Sequence, residues 1–222
     1  MTTRVLLVRH GATELSAEDR FAGATDVALS EVGREQARRL AERLRQTPIA
    51  AAFASPLGRT LETAGIITAP HGISVQPEAA FREIDHGHWE AHTRAEVESA
   101  YAAEYKRWEL DPYTFAPSGG ESGLAVTARA LPALIAVVAA HPDASVLIVS
   151  HKATIRLLIS ALLGFDPRRY RDHLDQSPAA LNIVDFKDPV HARLTLFNST
   201  AHYAEDAVPE VPQQRLSKAW QQ

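Results

Sequence analysis

The sequence predicts an α/β fold, a three-layer α/β/α sandwich around a mostly parallel sheet, and three observations carry that reading. Short apolar runs alternate with longer amphipathic stretches along most of the 222 residues, which is the pattern of strand and helix taken in turn. Two runs, 5–8 (Val-Leu-Leu-Val) and 146–149 (Val-Leu-Ile-Val), show no polar alternation, as strands buried on both faces do. Both runs end alike, in a polar residue and a histidine: Arg9-His10 and Ser150-His151. In open α/β sheets ligands sit at the carboxyl ends of strands, so both histidines fall where chemistry is expected.

The elements follow in order. The first strand, 5–8, breaks at Gly11 into a loop over 11–29. Ser30 caps a helix reaching Gln46, with Ala37, Leu40 and Leu44 on one stripe and Glu31 and Glu35 near its positive end. A strand at 49–54 leads to Ser55-Pro56, which opens a second helix carrying Arg59, Thr60 and Thr63. That helix ends near Pro70-His71-Gly72, before a short strand at 73–76. From 81 to 122 the pattern is irregular: a polar, aromatic loop, a helix over about 93–108, then a Pro/Gly stretch. This segment reads as an insertion covering the crevice, without a core of its own. Glu121-Ser122 opens a long helix to His141-Pro142, 145–149 is a strand, and a helix over 152–163 stops at Gly164. Strands at 181–187 and 193–197 complete one domain over 1–204. Residues 205–222 form a polar tail with a short helix expected around 216–220.

Composition narrows the classes. Apolar residues make up 45% and charged residues 23%, enough for a sizeable soluble core. The net charge of −4 gives no global field for nucleic acid. No cysteine is present, so disulfides, thiolate metal sites and a cysteine nucleophile are excluded. With only residues 1–4 ahead of the first strand, no signal peptide is expected. The run 131–140 is broken by Pro132 and falls short of the ~20 residues a bilayer span needs. A soluble cytoplasmic protein without membrane or nucleic-acid partners is expected.

If the two strands are adjacent and parallel, His10 and His151 meet across one crevice, and Arg59 projects into it. Two imidazoles and two guanidiniums, with helix N-termini nearby, suit the charge of a transferring phosphoryl group. A single histidine is more often a core or surface residue; two at matching strand ends point to a shared site. His86, His88 and His92 offer a metal alternative, but their spacing suits an extended segment and no acidic partner is arranged around them. They read as a polar loop lining the crevice, and neither metal nor cofactor is called for.

Six motifs now resemble, in order, the histidine phosphatase superfamily in its phosphoglycerate-mutase-like branch. They are Leu7-Val8-Arg9-His10-Gly11, Leu29 to Ala37, Ser55-Pro56-Leu57-Gly58-Arg59-Thr60, Arg82-Glu83, Gly119-Gly120-Glu121-Ser122 and Val149-Ser150-His151. The resemblance implies that His10 is the nucleophile, phosphorylated on a ring nitrogen while the other nitrogen is fixed on a backbone carbonyl. It implies Arg9, Arg59 and His151 as the phosphate clamp, with Ser16 and Gly23 among the substrate-binding positions. Glu83 would be the general acid and then the base, with Phe81, Ile84 and Trp89 as apolar neighbours favouring its protonated form; Asp85 is its rival. Ala12, Ser16 and Lys152 depart from the usual pattern.

The string 83–89 further resembles the metal-independent phosphoserine phosphatases, whose late histidine looks like His202. That makes His86, Lys152 and His202 candidates for holding a carboxylate. The expected activity is hydrolysis of a small-molecule phosphate ester through a phosphohistidine, on an acid such as phosphoserine. A phosphoglycerate mutase is the alternative, disfavoured because only 36 residues separate Glu83 from Gly120. A non-catalytic phospho-ligand module is the other, and the oligomeric state is open, with a homodimer among the readings.

Overall fold

Six strands, β1 (Thr3–Arg9), β2 (Ala51–Ala54), β3 (Val75–Pro77), β4 (Ser145–Ser150), β5 (Leu181–Asp188) and β6 (His191–Ser199), join into one sheet. The structure is a computed structural model that describes residues 2–14 and 20–204. Ser16 and the helix expected around 216–220 lie outside those residues. The strand order is β3-β2-β4-β1-β5-β6. The first four strands are parallel, whereas β5 pairs antiparallel with β1 and β6 antiparallel with β5.

The helices are α1 (Glu31–Leu44), α2 (Gly58–Thr68), α3 (Arg94–Ala100), α4 (Ala102–Leu110), α5 (Gly123–Ala140), α6 (Lys152–Leu163) and α7 (Tyr170–His173). The uninterrupted apolar run of β1 has its explanation in the layers. Val5 and Leu7 pack with Leu134, Val138, Ile155 and Ile159 of α5 and α6. Leu6 and Val8 face the other way, onto Leu40 and Leu44 of α1 and Ala64 and Ile67 of α2. Each such leucine or isoleucine, once buried, contributes roughly 1.5–3 kcal/mol. The expected sandwich is therefore what the chain builds.

Three local expectations are corrected. Helix α2 starts at Gly58, not at Ser55-Pro56, with its first N–H on the Asp26 carboxylate at 3.0 Å. The helix expected over 93–108 breaks at Tyr101 (φ −131°, ψ 44°) into α3 and α4. The insertion also has a core: Phe21, Trp89, Val97, Tyr105, Trp108 and Phe115 pack into an aromatic cluster. Helix α5 continues through Pro132 over 18 residues. By length and composition alone it could cross a membrane, yet Ala130, Leu134, Val137 and Val138 are buried in the sheet's core.

Candidate active site

Strands β1 and β4 are in register with Arg9 opposite Ser150, so His10 and His151 leave the sheet side by side. Their ring centroids are 5.2 Å apart, edge to face. Above them opens a crevice of about 200 Å³, with Arg9, His10, Arg59 and Glu83 in its walls. The loop after β1 can turn here because Gly11 and Gly33 let it press onto the first turn of α1. A Cβ on Gly33 would stand 2.0 Å from the Ala12 carbonyl oxygen.

His10 is 7% exposed, and its Nδ1 lies 2.8 Å from the Gly11 carbonyl oxygen. A carbonyl only accepts, so Nδ1 carries the proton and Nε2 keeps its lone pair. Burial, then Arg9 and Arg59, hold this imidazole well below the usual histidine range. It is neutral at physiological pH. Arg9 donates from Nη1 to the Gln176 carbonyl at 2.6 Å. Arg59 donates to the carbonyls of Thr25 (2.7 Å) and Gly23 (2.9 Å). His151 does not line the crevice: it is fully buried beneath, its Nε2 sharing a 2.8 Å hydrogen bond with the Ser55 hydroxyl. Burial, followed by His10, Arg59 and Arg9, keeps it neutral as well.

Glu83 lines the crevice, but apolar walls do not surround its carboxylate as expected. It sits over the N-terminus of α6, accepting from the N–H groups of Ala153 and Thr154, both at 3.1 Å, and of Ile84 at 3.0 Å. Asp85 is instead a turn residue, its Oδ1 accepting from Gly87 N at 2.8 Å. Arg129, which no sequence motif flags, holds this loop together with Glu121 of the Gly-Gly-Glu-Ser motif. Arg129 donates to the carbonyls of Ala80, Arg82 and Glu83 and pairs with Glu121 at 2.8 Å. That gives the Gly-Gly-Glu-Ser motif a physical task, which a lone arginine inside an apolar helix could have signalled.

The remaining candidates divide. His86 and Lys152 line the crevice; Lys152 also lies 3.9 Å from Asp175. Gly23 does not line it. Its N–H is taken by the Glu90 carboxylate at 3.0 Å while its carbonyl orients Arg59. His202 is likewise not among the crevice residues, and the imidazole pair expected from His86 and His202 is not formed. It lies against Ala179, half-buried, with burial and then Arg43 pushing it down to about 4. Next to it, the Tyr203 hydroxyl donates to the Pro178 carbonyl at 2.7 Å, so this corner braces the loop whose Ala179 N–H donates to the His10 carbonyl. Among the described residues no three histidine, aspartate or glutamate side chains gather closely enough to hold a metal ion.

A buried, neutral imidazole between two guanidiniums at the ends of parallel strands defines a phosphoryl-transfer enzyme of the α/β class. The chain belongs to the histidine phosphatase superfamily (branch 1), which it matches over residues 5–200. It is a phosphatase, acting on small phosphate esters. It is 32% identical over 202 residues to phosphoserine phosphatase 1 of Hydrogenobacter thermophilus, covering 91% of this chain and 95% of that one. It is 36% identical over 168 residues to the glucosyl-3-phosphoglycerate phosphatase of Mycolicibacterium vanbaalenii, covering 72% and 74%. The solved structure of Bacillus stearothermophilus YhfR superposes with a TM-score of 0.84 at 30% identity, over 90% of this chain and 98% of that one.

Proposed function

We propose that the enzyme hydrolyses a small phosphorylated carboxylic acid, such as phosphoserine, through a phosphohistidine on His10. One observation carries this reading: Nδ1 of His10 is committed to the Gly11 carbonyl, and the neutral ring faces a crevice flanked by Arg9 and Arg59. Nε2 attacks phosphorus as the ester oxygen leaves with a proton from Glu83. Water then attacks the same phosphorus, the P–N bond breaks, and Glu83 takes the water's proton. The proton gained in one cycle is the one given in the next, which suits a carboxylate that starts each second half-reaction ionised.

Arg9 and Arg59 balance the charge on the equatorial oxygens, with His151 backing His10. Support for an acid substrate comes from Lys152 and His86 in the same crevice. The substrates named for the two curated relatives, phosphoserine and a phosphoglycerate derivative, also both carry a carboxylate.

The test is a rapid quench with radiolabelled phosphoserine. A phosphoenzyme stable to base and labile to acid should appear, and His10→Ala should abolish both label and turnover. Dialysis against EDTA should leave the rate intact, because the two arginines supply the positive charge. Residual turnover in the variant removes His10 from the role. Activity that is lost on chelation and restored by Mg²⁺ overturns the clamp, and dominant isomerisation of 3-phosphoglycerate overturns hydrolysis.

A further inference from the structure

Seven cationic side chains line the crevice against one carboxylate, Glu83. One phosphoryl dianion does not need seven. The charges acting on His10 are those of Arg9 and Arg59. A second group gathers around Tyr170, where Arg171, Arg156 and Arg94 all act on the phenol. Arg156 feels both Arg9 and Arg171, so this second group adjoins the first.

Three donors on this wall are left over. Tyr170 is 3% exposed and lines the crevice, and its hydroxyl makes no hydrogen bond among the described residues. Arg156, 6% exposed, reaches Asp175 with Nη2 at 3.3 Å, but its buried Nε has no partner among those residues. Arg171, 5% exposed, donates from Nη2 to Glu109 at 2.8 Å and stacks 3.6 Å from the Trp108 ring, while its buried Nη1 has no partner there either. Buried polar groups are normally satisfied, so Arg156 Nε and Arg171 Nη1 each ask for an explanation such as a ligand, and Tyr170 lines the same crevice. All three leftover groups can donate, so what fits them is an acceptor. A guanidinium held flat by an indole matches a planar carboxylate in particular.

We propose that Arg156, Tyr170 and Arg171 form the seat for the carboxylate of the substrate, next to the phosphoryl site, and so select phosphorylated acids over esters lacking that group. This rests on the reading of an acid substrate given above. It assigns the carboxylate to a wall built by α6 and α7, where Lys152 and His86 are its neighbours. A purely structural wall, with Arg171 only pinning α7 to α4 through Glu109, makes a different prediction for the phenol oxygen: none.

Tyr170→Phe is the decisive variant, since it removes one oxygen without breaking any described hydrogen bond. The readout is the ratio of kcat/KM for phosphoserine over phosphoethanolamine, the same ester without the carboxylate. The ratio should fall about tenfold or more, the worth of a hydrogen bond to a charged group, mainly through KM for phosphoserine. Arg171→Lys, which keeps a cation opposite Glu109 but loses the fork, should move the ratio the same way. Thermal melting of Tyr170→Phe should stay at the wild-type value. A wild-type enzyme indifferent to the carboxylate overturns both the acid-substrate reading and the seat. A wild-type preference that survives in both variants overturns the seat alone, as does an equal loss on both esters.

Discussion

The two cation clusters of the crevice are held in place by different partners. At the phosphoryl end, Arg9 and Arg59 rest on the neutral carbonyls of Gln176, Thr25 and Gly23. On the outer wall, Arg156 and Lys152 face Asp175, and Arg171 faces Glu109. A carbonyl orients a guanidinium without cancelling its charge; a carboxylate orients it and cancels much of it. The phosphoryl end, where Asp26 stands no closer to Arg59 than 4.0 Å, thus keeps the stronger field for a doubly charged group. The outer wall keeps a weaker one, matched to a singly charged group.

Glu83 is the one carboxylate that lines the crevice, and removing its charge should have the largest effect. Glu83→Gln keeps one of the two oxygens that accept from α6, gives up the other acceptor, and can no longer carry a proton. kcat/KM for an alkyl phosphate should drop by about 10²–10⁴, and that for an aryl phosphate, whose leaving group needs no proton, by much less, since kcat/KM reports the first half-reaction alone. Stopped assays on the two ester types check this. Equal losses on both would make Glu83 part of the field rather than the proton carrier.

Acidification acts on the same end. His10 and His151 are held neutral by burial first and by neighbouring cations second, so the folded state binds fewer protons than the unfolded chain once pH falls below about 6.5. Stability should be flat above that pH and decline below it, by at most about 1.4 kcal/mol per pH unit for each histidine. The acid limb of kcat/KM should likewise lie below 6.5, where His10 protonates. Melting curves and rates between pH 4 and pH 8 test both; a melting temperature that rises on acidification from pH 6.5 would mean that the imidazoles are charged in the fold.

The same contrast explains what was legible in the sequence. The phosphoryl end is written in contiguous stretches: a strand, then Arg9-His10, and a matching strand, then Ser150-His151. Sheet pairing needs only adjacency to bring them together, and the register does the rest. The outer wall is written in no stretch. Arg156 lies on the buried face of α6, Tyr170 and Arg171 on a short helix after it, and Trp108 in the insertion. Only tertiary packing makes them neighbours. His202 shows the converse. It does follow the last strand, but β5 and β6 run antiparallel beyond β1, and the loop at 176–180 lies between it and the crevice. Asn182 and Asn198 fix that loop: the Asn198 carboxamide oxygen accepts from Ser177 N at 2.7 Å, and the Asn198 backbone N–H donates to Asn182 Oδ1 at 2.8 Å. No local pattern announces such a relay.

The smallest effect should come from relaxing the compensation on the outer wall. Asp175 faces Lys152 at 3.9 Å and Arg156 at 3.3 Å, and its side chain is 66% exposed. Exposed pairs of this kind are worth about 0.2–1 kcal/mol. Asp175→Asn keeps the size and removes the charge, so both cations turn a larger share of their field on the crevice. KM for phosphoserine should therefore fall by a factor of about 1.4–5, and the gain should shrink as salt rises toward 1 M, where the screening length is only about 3 Å. The direction of this change separates offset from orientation on the outer wall. A KM that rises in Asp175→Asn would show that the carboxylate positions Arg156 more than it offsets it, and the outer wall would then work like the phosphoryl end, by orientation alone.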